Sequence, residues 1–306
     1  MKNIISLDQG VVNALEFFSK NKLPKLKLNN FNFPIVVGSG NAYNTGHILF
    51  SGRKAIIADE STFKKIIESY KDLINKKIIK EVVVISASGE KDSIWEIKLA
   101  QKYKLKTTLL TCSPNSSASK IADKVIVYPK ISEPYTYNIS TYLGMILSAT
   151  GENPKSILKF IKSLKLKTNF KDYNSYSFVL PDDFIAITPM IDIKKSELFG
   201  PKLSLRAFSF GHARHAKFVI RDKKELVITL GNEKNMYFGD PQSRWQIKLT
   251  SKVDFAFVLC LTYCLVGKIQ KNKPPYFKNN IKKYCQDYGP KAYGSKGKFD
   301  LIVPGN

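Results

Sequence analysis

The stretch Val84-Ile-Ser-Ala-Ser-Gly-Glu-Lys-Asp-Ser93 decides how this chain is organised. It begins inside an apolar run, Glu81-Val-Val-Val-Ile85, that stops abruptly at two serines and a glycine. From Glu90 to Lys102 the residues turn polar and helix-compatible. A short run of β-branched residues with no polar alternation reads as a strand buried on both faces. A helix directly after it makes a strand–turn–helix unit of a parallel sheet. The turn then lies at the carboxyl end of its strand, where open α/β sheets bind ligands. Hydroxyls of Ser86 and Ser88 and unpaired backbone N–H groups at a helix start make an anion cradle, helped by the helix dipole. Gly89 lets the backbone approach an anion with no Cβ in the way, and Lys91 adds a positive charge. The plainer reading is that Ser88 only caps the helix.

The same alternation extends outward. Strand-like runs lie at 34–38, 54–58, 82–85, 107–112 and 125–128, with helix-like stretches at 42–50, 61–75, 93–102, 116–122 and 140–150. Gly151-Glu-Asn-Pro154 breaks the pattern and 156–166 reads as a linking helix. A second set opens at Phe184-Ile-Ala-Ile-Thr-Pro189, read as its first strand. A helix is expected around 195–206, strands at 226–230 and 245–249, and an apolar helix at 253–268. The layout is an N-terminal helical segment (1–33), two α/β domains (34–152 and 153–275) and a basic tail (276–306).

Composition narrows the function classes. With 306 residues and 43% hydrophobic content, the chain can bury a full core, which excludes a disordered or disulfide-stapled protein. No secretory signal is read at Met1-Lys-Asn-Ile4, and the apolar run 255–266 is too short to span a bilayer, so a soluble, cytoplasmic protein is expected. The four cysteines (Cys112, Cys260, Cys264, Cys285) contain no CxxC pair and read as buried thiols, with no metal and no cofactor. The net charge of +24 comes from 49 basic residues, of which only five are arginines. Base readout and bidentate phosphate contact favour arginine, and no nucleic-acid-binding motif is present, so no specific nucleic-acid partner is expected. The charge instead favours small anionic substrates.

A second polar turn, Gly38-Ser-Gly-Asn-Ala-Tyr-Asn-Thr-Gly46, follows the first strand. It imitates a dinucleotide fingerprint, but Tyr43 stands at the third glycine position and Asp59-Glu60 opens a helix rather than facing a ribose, so NAD is excluded.

The run VVVISASGEKDSIWEIKLAQKYKLKTTLLTCSPNSSASKIADKVIVYP, residues 82–129, resembles a sugar-isomerase (SIS) domain. It has that family's Ile-Ser-x-Ser-Gly-Glu turn at 85–90, its Thr/Ser-rich turn at 111–119 and its Ala-Asp-x-Val strand at 122–125. GSGNAYNTG resembles the Gly-x-Ser-Tyr-Asn-x-Gly stretch of the isomerase half of glucosamine-6-phosphate synthase. The likeness covers 34–150 and, more weakly, 180–270. It implies two flavodoxin-like SIS units, each a parallel sheet covered by helices on both faces, and a phosphorylated sugar as ligand. Ser86, Ser88 and Gly89 then hold the phosphate, with Lys91 replacing the family's hydroxyl residue. Gly40, Asn41 and Asn44 line the first loop, where Ala42 replaces the family serine.

Aldose–ketose isomerisation needs one group to open the ring and a base to move the proton beside the carbonyl. Of three histidines, His215 in FGHARHAKFVI matches the family's ring-opening histidine, with His212 as the alternative and His47 as a packing residue. Glu197 in SELFGPKLSLR matches the first glutamate of a family helix, whose later glutamate, the base, falls on Ser204. Glu133 matches a loop lining the sugar site, and Glu233 is a further carboxylate after the next strand. The resemblance thus implies a phosphosugar isomerase, or a deglycase or deaminase-type enzyme acting on an amino-sugar phosphate. It also implies a homodimer with shared active sites. The alternative is a non-catalytic phosphosugar-binding regulatory protein.

Overall fold

The computed structural model describes residues 4–250 and 252–306. In chain order, α1 (Leu7–Phe18) precedes β1 (Ile35–Gly38), α2 (Asn41–Leu49), β2 (Ile56–Ala58), α3 (Phe63–Ser69), α4 (Lys71–Asn75) and β3 (Glu81–Ile85). Next come α5 (Asp92–Lys102), β4 (Lys106–Thr111), β5 (Lys124–Val127), β6 (Glu133–Pro134), α6 (Ile139–Thr150) and α7 (Pro154–Ser163). The remainder holds β7 (Ser175–Leu180), α8 (Thr188–Leu198), β8 (Ser204–Ser209), α9 (Phe210–Ala216), β9 (Glu225–Leu230) and β10 (Arg244–Ile247). It continues with α10 (Phe255–Asn272), α11 (Tyr276–Gln286), α12 (Tyr288–Ala292) and β11 (Ile302–Val303). The chain divides into two compact units. The first comprises Phe17–Ser132, Asn138–Asn153 and Pro304–Asn306; the second comprises the segment through Glu16, Glu133–Tyr137 and Pro154–Val303.

In the first unit five parallel strands stand in the order β2-β1-β3-β4-β5. Strands β1 and β3 are apolar without alternation because both faces are covered. Ile35, Val37, Val82, Val84 and Leu109 pack with Phe63 and Ile67 of α3 and Ile97 and Ala100 of α5. Val36 and Ile85 meet α2, where a Cβ added to Gly46 would stand 3.1 Å from Val36. The second unit repeats the plan with β10-β9-β7-β8, again parallel. Read from the other end, this is the order second, first, third, fourth, as in the first unit. Val179 and Val227 pack with Phe210 and Ala213 of α9, while α8 packs on β8 and α10 on α8. The fold class is α/β: two flavodoxin-like units of parallel strands with flanking helices.

Three elements differ from the sequence reading, the first being the helix expected at 116–122, where the chain forms successive turns between β4 and β5 instead. The run at 184–189 is not a strand: Asp182–Ile187 forms a 3-10 helix, and Pro189 sits in the first turn of α8, where its missing N–H is harmless. The first strand of the second sheet is β7. The helix expected over 195–206 ends at Leu198, since Gly200 takes φ +52° and Pro201 follows, and Ser204 opens β8. None of the four cysteines is in a disulfide bond, and all four are buried. No helix among the described residues is long and apolar enough to cross a membrane.

One residue buried in α5 is a carboxylic acid. Glu96 is 1% exposed, and its Oε1 is buried without a hydrogen-bond partner. Burial, with Asp92 and Glu60 nearby, pushes its pKa up to about 8. A carboxyl raised in the folded state holds a proton that the unfolded chain has released, so this group takes stability away as pH climbs from about 4.5 to about 8, and no more above that. The loss is on the order of 4 kcal/mol. In Glu96→Gln the fall in stability between pH 5 and pH 8 should largely vanish. Urea unfolding midpoints across that range check it; an unchanged slope in the variant would show that Glu96 ionises freely.

Candidate active site

The order of the first sheet puts a switch point between β1, whose chain runs to β2 on one side, and β3, whose chain runs to β4 on the other. Such a point opens a crevice outside the carboxyl ends of the strands, and both polar turns lie there. Their helix starts share one backbone geometry. Gly40 has φ 56° and ψ −116° before α2, and Lys91 has φ 55° and ψ −118° before α5. A glycine takes this conformation freely, whereas a lysine in it is strained by about 1–3 kcal/mol, a feature that clusters at ligand sites.

Hydrogen bonds fix the turn after β3. Gly89 N–H donates to Ser86 Oγ at 3.2 Å, and Glu90 N–H donates to Ser88 Oγ at 3.3 Å. Ser88 is therefore not the helix cap; Lys91 holds that position and makes no capping bond. The turn is tied to the one after β4. Ala87 O accepts from Cys112 N–H at 3.0 Å, Thr111 Oγ1 at 3.2 Å and Ser113 Oγ at 3.3 Å. Gly89 O accepts from Ala118 N–H at 2.9 Å, and Glu90 Oε1 accepts from Ser117 N–H at 2.9 Å. The glutamate of the Ser-Gly-Glu turn is thus a strut between loops. A cleft of about 450 Å³ opens beside them, lined by Ser88, Ser113, Asn115, Ser116 and Lys130 among others. Asn41 begins α2 at the switch point with its Oδ1 buried and without a hydrogen-bond partner, an acceptor suited to a ligand hydroxyl. Asn44 and Ala42 are buried on α2. His47 on α2 packs edge-on against Tyr43 at 4.6 Å, and burial lowers its pKa.

In the second unit the decisive helix is α8. Lys194 is 0% exposed; its Nζ donates to Glu197 Oε2 at 2.6 Å and to Thr136 O. It also stands 5.5 Å from the centre of the Tyr263 ring. One ammonium therefore joins the Glu133–Tyr137 segment to α8. Thr136 has φ 74°, a left-handed value that a β-branched residue rarely takes. Burial raises the pKa of Glu197, and Lys194 opposes that rise in part. The carboxyl borders a cleft of about 310 Å³ with Thr136, Ser196, Tyr276, Tyr284 and Tyr288. Ser204, the expected position of a helical base, lies on β8 instead, which leaves Glu197 as the carboxylate of α8 that borders this cleft.

The other expected residues are placed as follows. Glu133 is buried in β6, paired with Val303 of β11. His215, His212 and Arg214 are exposed on α9. That helix is held by Asp182, which accepts from Gly211 N–H at 2.8 Å and whose pKa is lowered by hydrogen bonds from Ser209 and Gly211. Glu233 is exposed in the loop after β9. Sequence reasoning missed Lys194 as a partner of Glu197. It also saw the turn at 111–119 as a family mark without placing Ser113 or Ser116 beside Ser88, where both line the same cleft.

No known family's sequence profile matches this chain, and no curated protein matches it in sequence. Solved structures do match. The C-terminal domain of glucosamine-fructose-6-phosphate aminotransferase from Francisella tularensis is 13% identical, with a TM-score of 0.60, over 87% of this chain and 94% of that one. Tagatose-6-phosphate ketose/aldose isomerase from Escherichia coli is 12% identical, with a TM-score of 0.53, over 87% and 86%. Glucosamine-6-phosphate deaminase from Thermotoga maritima is 14% identical, with a TM-score of 0.53, over 86% and 91%. The chain shares the fold of these structures, two parallel α/β units in tandem.

Proposed function

We propose that this chain is a phosphosugar isomerase. The observation that carries the reading is the hydroxyl-lined turn at the switch point of the first sheet. It has two serines, a glycine at φ +64° and a lysine held in a strained conformation. Ser86, Ser88, Gly89 and Lys91 bind the phosphate, Ser113 and Ser116 extend the cradle, and Gly40, Asn41 and Asn44 receive sugar hydroxyls. Neutral donors at a helix start, plus one ammonium, match the charge of a phosphomonoester.

The acid–base work falls to the second unit. His215, exposed on α9, opens the ring. Glu197 takes the proton from C2 of the open-chain sugar and returns it at C1. Its raised pKa brings the carboxylate nearer the range in which a base exchanges protons at neutral pH. Glu133, in the segment that Lys194 ties to α8, orients the substrate. Val219, Ile220, Met236 and Tyr237 are strongly exposed beside the Phe218–Phe238 contact, an apolar surface next to α9 that a homodimer would cover.

The test is NMR in deuterium oxide with hexose and amino-hexose 6-phosphates, on a sample whose mass is read by sedimentation. An isomerase washes deuterium into C2, and His215→Ala should slow exchange from the closed-ring sugar. Release of ammonia from the amino-hexose phosphate, with the C2 proton lost as C2 becomes the ketone, identifies a deaminase-type enzyme, and binding with neither exchange nor ammonia identifies a regulatory protein. A sample that sediments as a monomer removes the homodimer.

A further inference from the structure

The first unit has a second cleft, at the opposite edge of its sheet from the cradle. It lies at the amino ends of β3, β4 and β5 and encloses about 490 Å³. The segment 25–31, which includes a 3-10 helix at Leu28–Asn30, forms the other wall. In parallel strands, residues in register share a face. Glu81 pairs with Lys106 and Thr108 with Lys124, so 81, 106, 108 and 124 line one face of the sheet. Lys25 and Lys27 come from the facing segment, and Leu26, Phe31 and Ile126 supply an apolar panel.

Four lysines therefore border one cleft, with two carboxylates. Both carboxylates are engaged by other donors. Glu81 Oε1 accepts from Asn32 N–H at 2.9 Å, and Asp123 Oδ2 accepts from Thr107 N–H at 2.7 Å and Thr107 Oγ1 at 2.8 Å. Among the described residues, none of the four ammonium groups is in a salt bridge. With all six groups ionised, the lining carries a formal 4 − 2 = +2. Like charges gathered without partners repel, and a bound anion relieves that repulsion. The lysines come from three separate stretches across the cleft, a spread that suits a chain of phosphates better than a single one. Lysine binds phosphate as a point charge and tolerates such variable geometry.

We propose that this cleft binds a polyphosphate group, either inorganic or carried by a nucleoside di- or triphosphate, at a site separate from the sugar-phosphate cradle. The apolar panel around Phe31 makes room for a base or sugar ring beyond the phosphates. The assignment stands on this cleft alone and survives if the isomerase reading fails.

The experiment is calorimetric titration of the full chain at 150 mM salt with tripolyphosphate, with ATP, and with a hexose 6-phosphate. Two variants change the net charge equally: Lys106→Ala with Lys124→Ala in the cleft, and Lys64→Ala with Lys65→Ala on the exposed surface of α3. The cleft variant should weaken tripolyphosphate and ATP at least tenfold and leave the hexose phosphate unchanged, while the α3 variant changes nothing. ATP binding at least tenfold tighter than tripolyphosphate, with the excess lost in Phe31→Ala, identifies a nucleotide; equal affinities identify the phosphate chain alone. No binding at millimolar ligand overturns the proposal. So does equal weakening by both variants, which would reduce the effect to the general positive field of the chain.

Discussion

Gly89→Ala should abolish sugar-phosphate binding and lower stability by roughly 2–4 kcal/mol. Two costs add. Gly89 holds φ +64°, where a side chain is strained, and a Cβ there would stand 2.0 Å from Ser116 Oγ and 2.6 Å from Ser116 Cβ. Ser116 cannot simply step aside, because its Oγ is 2.7 Å from Ser119 Oγ, and Ser119 Oγ in turn donates to Ser113 O at 2.9 Å. The turn after β3 and the turn after β4 must therefore separate, and the bonds from Ala118 and Ser117 that join them go too. Gly40 is the internal control. It has φ +56°, yet nothing lies within 4 Å of its added Cβ, so Gly40→Ala carries the conformational cost alone. A second change, Ser116→Gly, should return part of the stability lost in Gly89→Ala. Urea unfolding and sugar-phosphate titration of the set decide the matter. If Gly89→Ala proves as mild as Gly40→Ala, the two turns are not coupled as described.

The first unit was readable from sequence because its strands are apolar on both faces, and a run such as Glu81-Val-Val-Val-Ile85 allows few other readings. The second sheet was harder to read because three of its strands carry polar residues that satisfy one another. Ser177 on β7 donates to Glu225 of β9 at 2.5 Å, and Arg206 of β8 donates to Ser177 Oγ at 3.2 Å and to Glu225. Taken singly, Ser175-Tyr-Ser-Phe-Val-Leu180 and Ser204-Leu-Arg-Ala-Phe-Ser209 look half-exposed, and only their neighbours in the sheet explain the burial. Phe184-Ile-Ala-Ile187 looked more like a strand than either. It is set between Pro181 and Pro189, and Ile185 stays partly exposed. The proposed cradle was legible for a related reason. Its turn is local, so two serines and a glycine after a buried strand announce it. Lys194 was not legible, because one lysine among many carries no sign that it will be the one with no exposed surface; that follows from the packing of α8 against α10.

Glu197→Gln should lower C2 proton exchange by about 10²–10⁴-fold, the range lost with a positioned general base, and leave sugar-phosphate affinity within a few-fold. The amide keeps the shape of the side chain but accepts no proton. The pH profile adds a second readout. Because burial raises the pKa of Glu197, its active carboxylate form appears as pH rises, and exchange should fall on the acid side of the profile. Lys194 opposes that rise from 2.6 Å, so Lys194→Met should move the acid limb to higher pH while the cradle still binds sugar phosphate. A purely structural Lys194 would lower stability and leave the limb where it was. Stopped-time NMR exchange from pH 5 to pH 9 on both variants separates these cases. Glu197→Gln exchanging at the unmodified rate would remove Glu197 from the chemistry and leave Glu133 as the carboxylate to test. A lost signal with intact binding, together with a shifted limb in Lys194→Met, would identify the two residues as one functional pair, with the lysine setting the proton affinity at which the glutamate works.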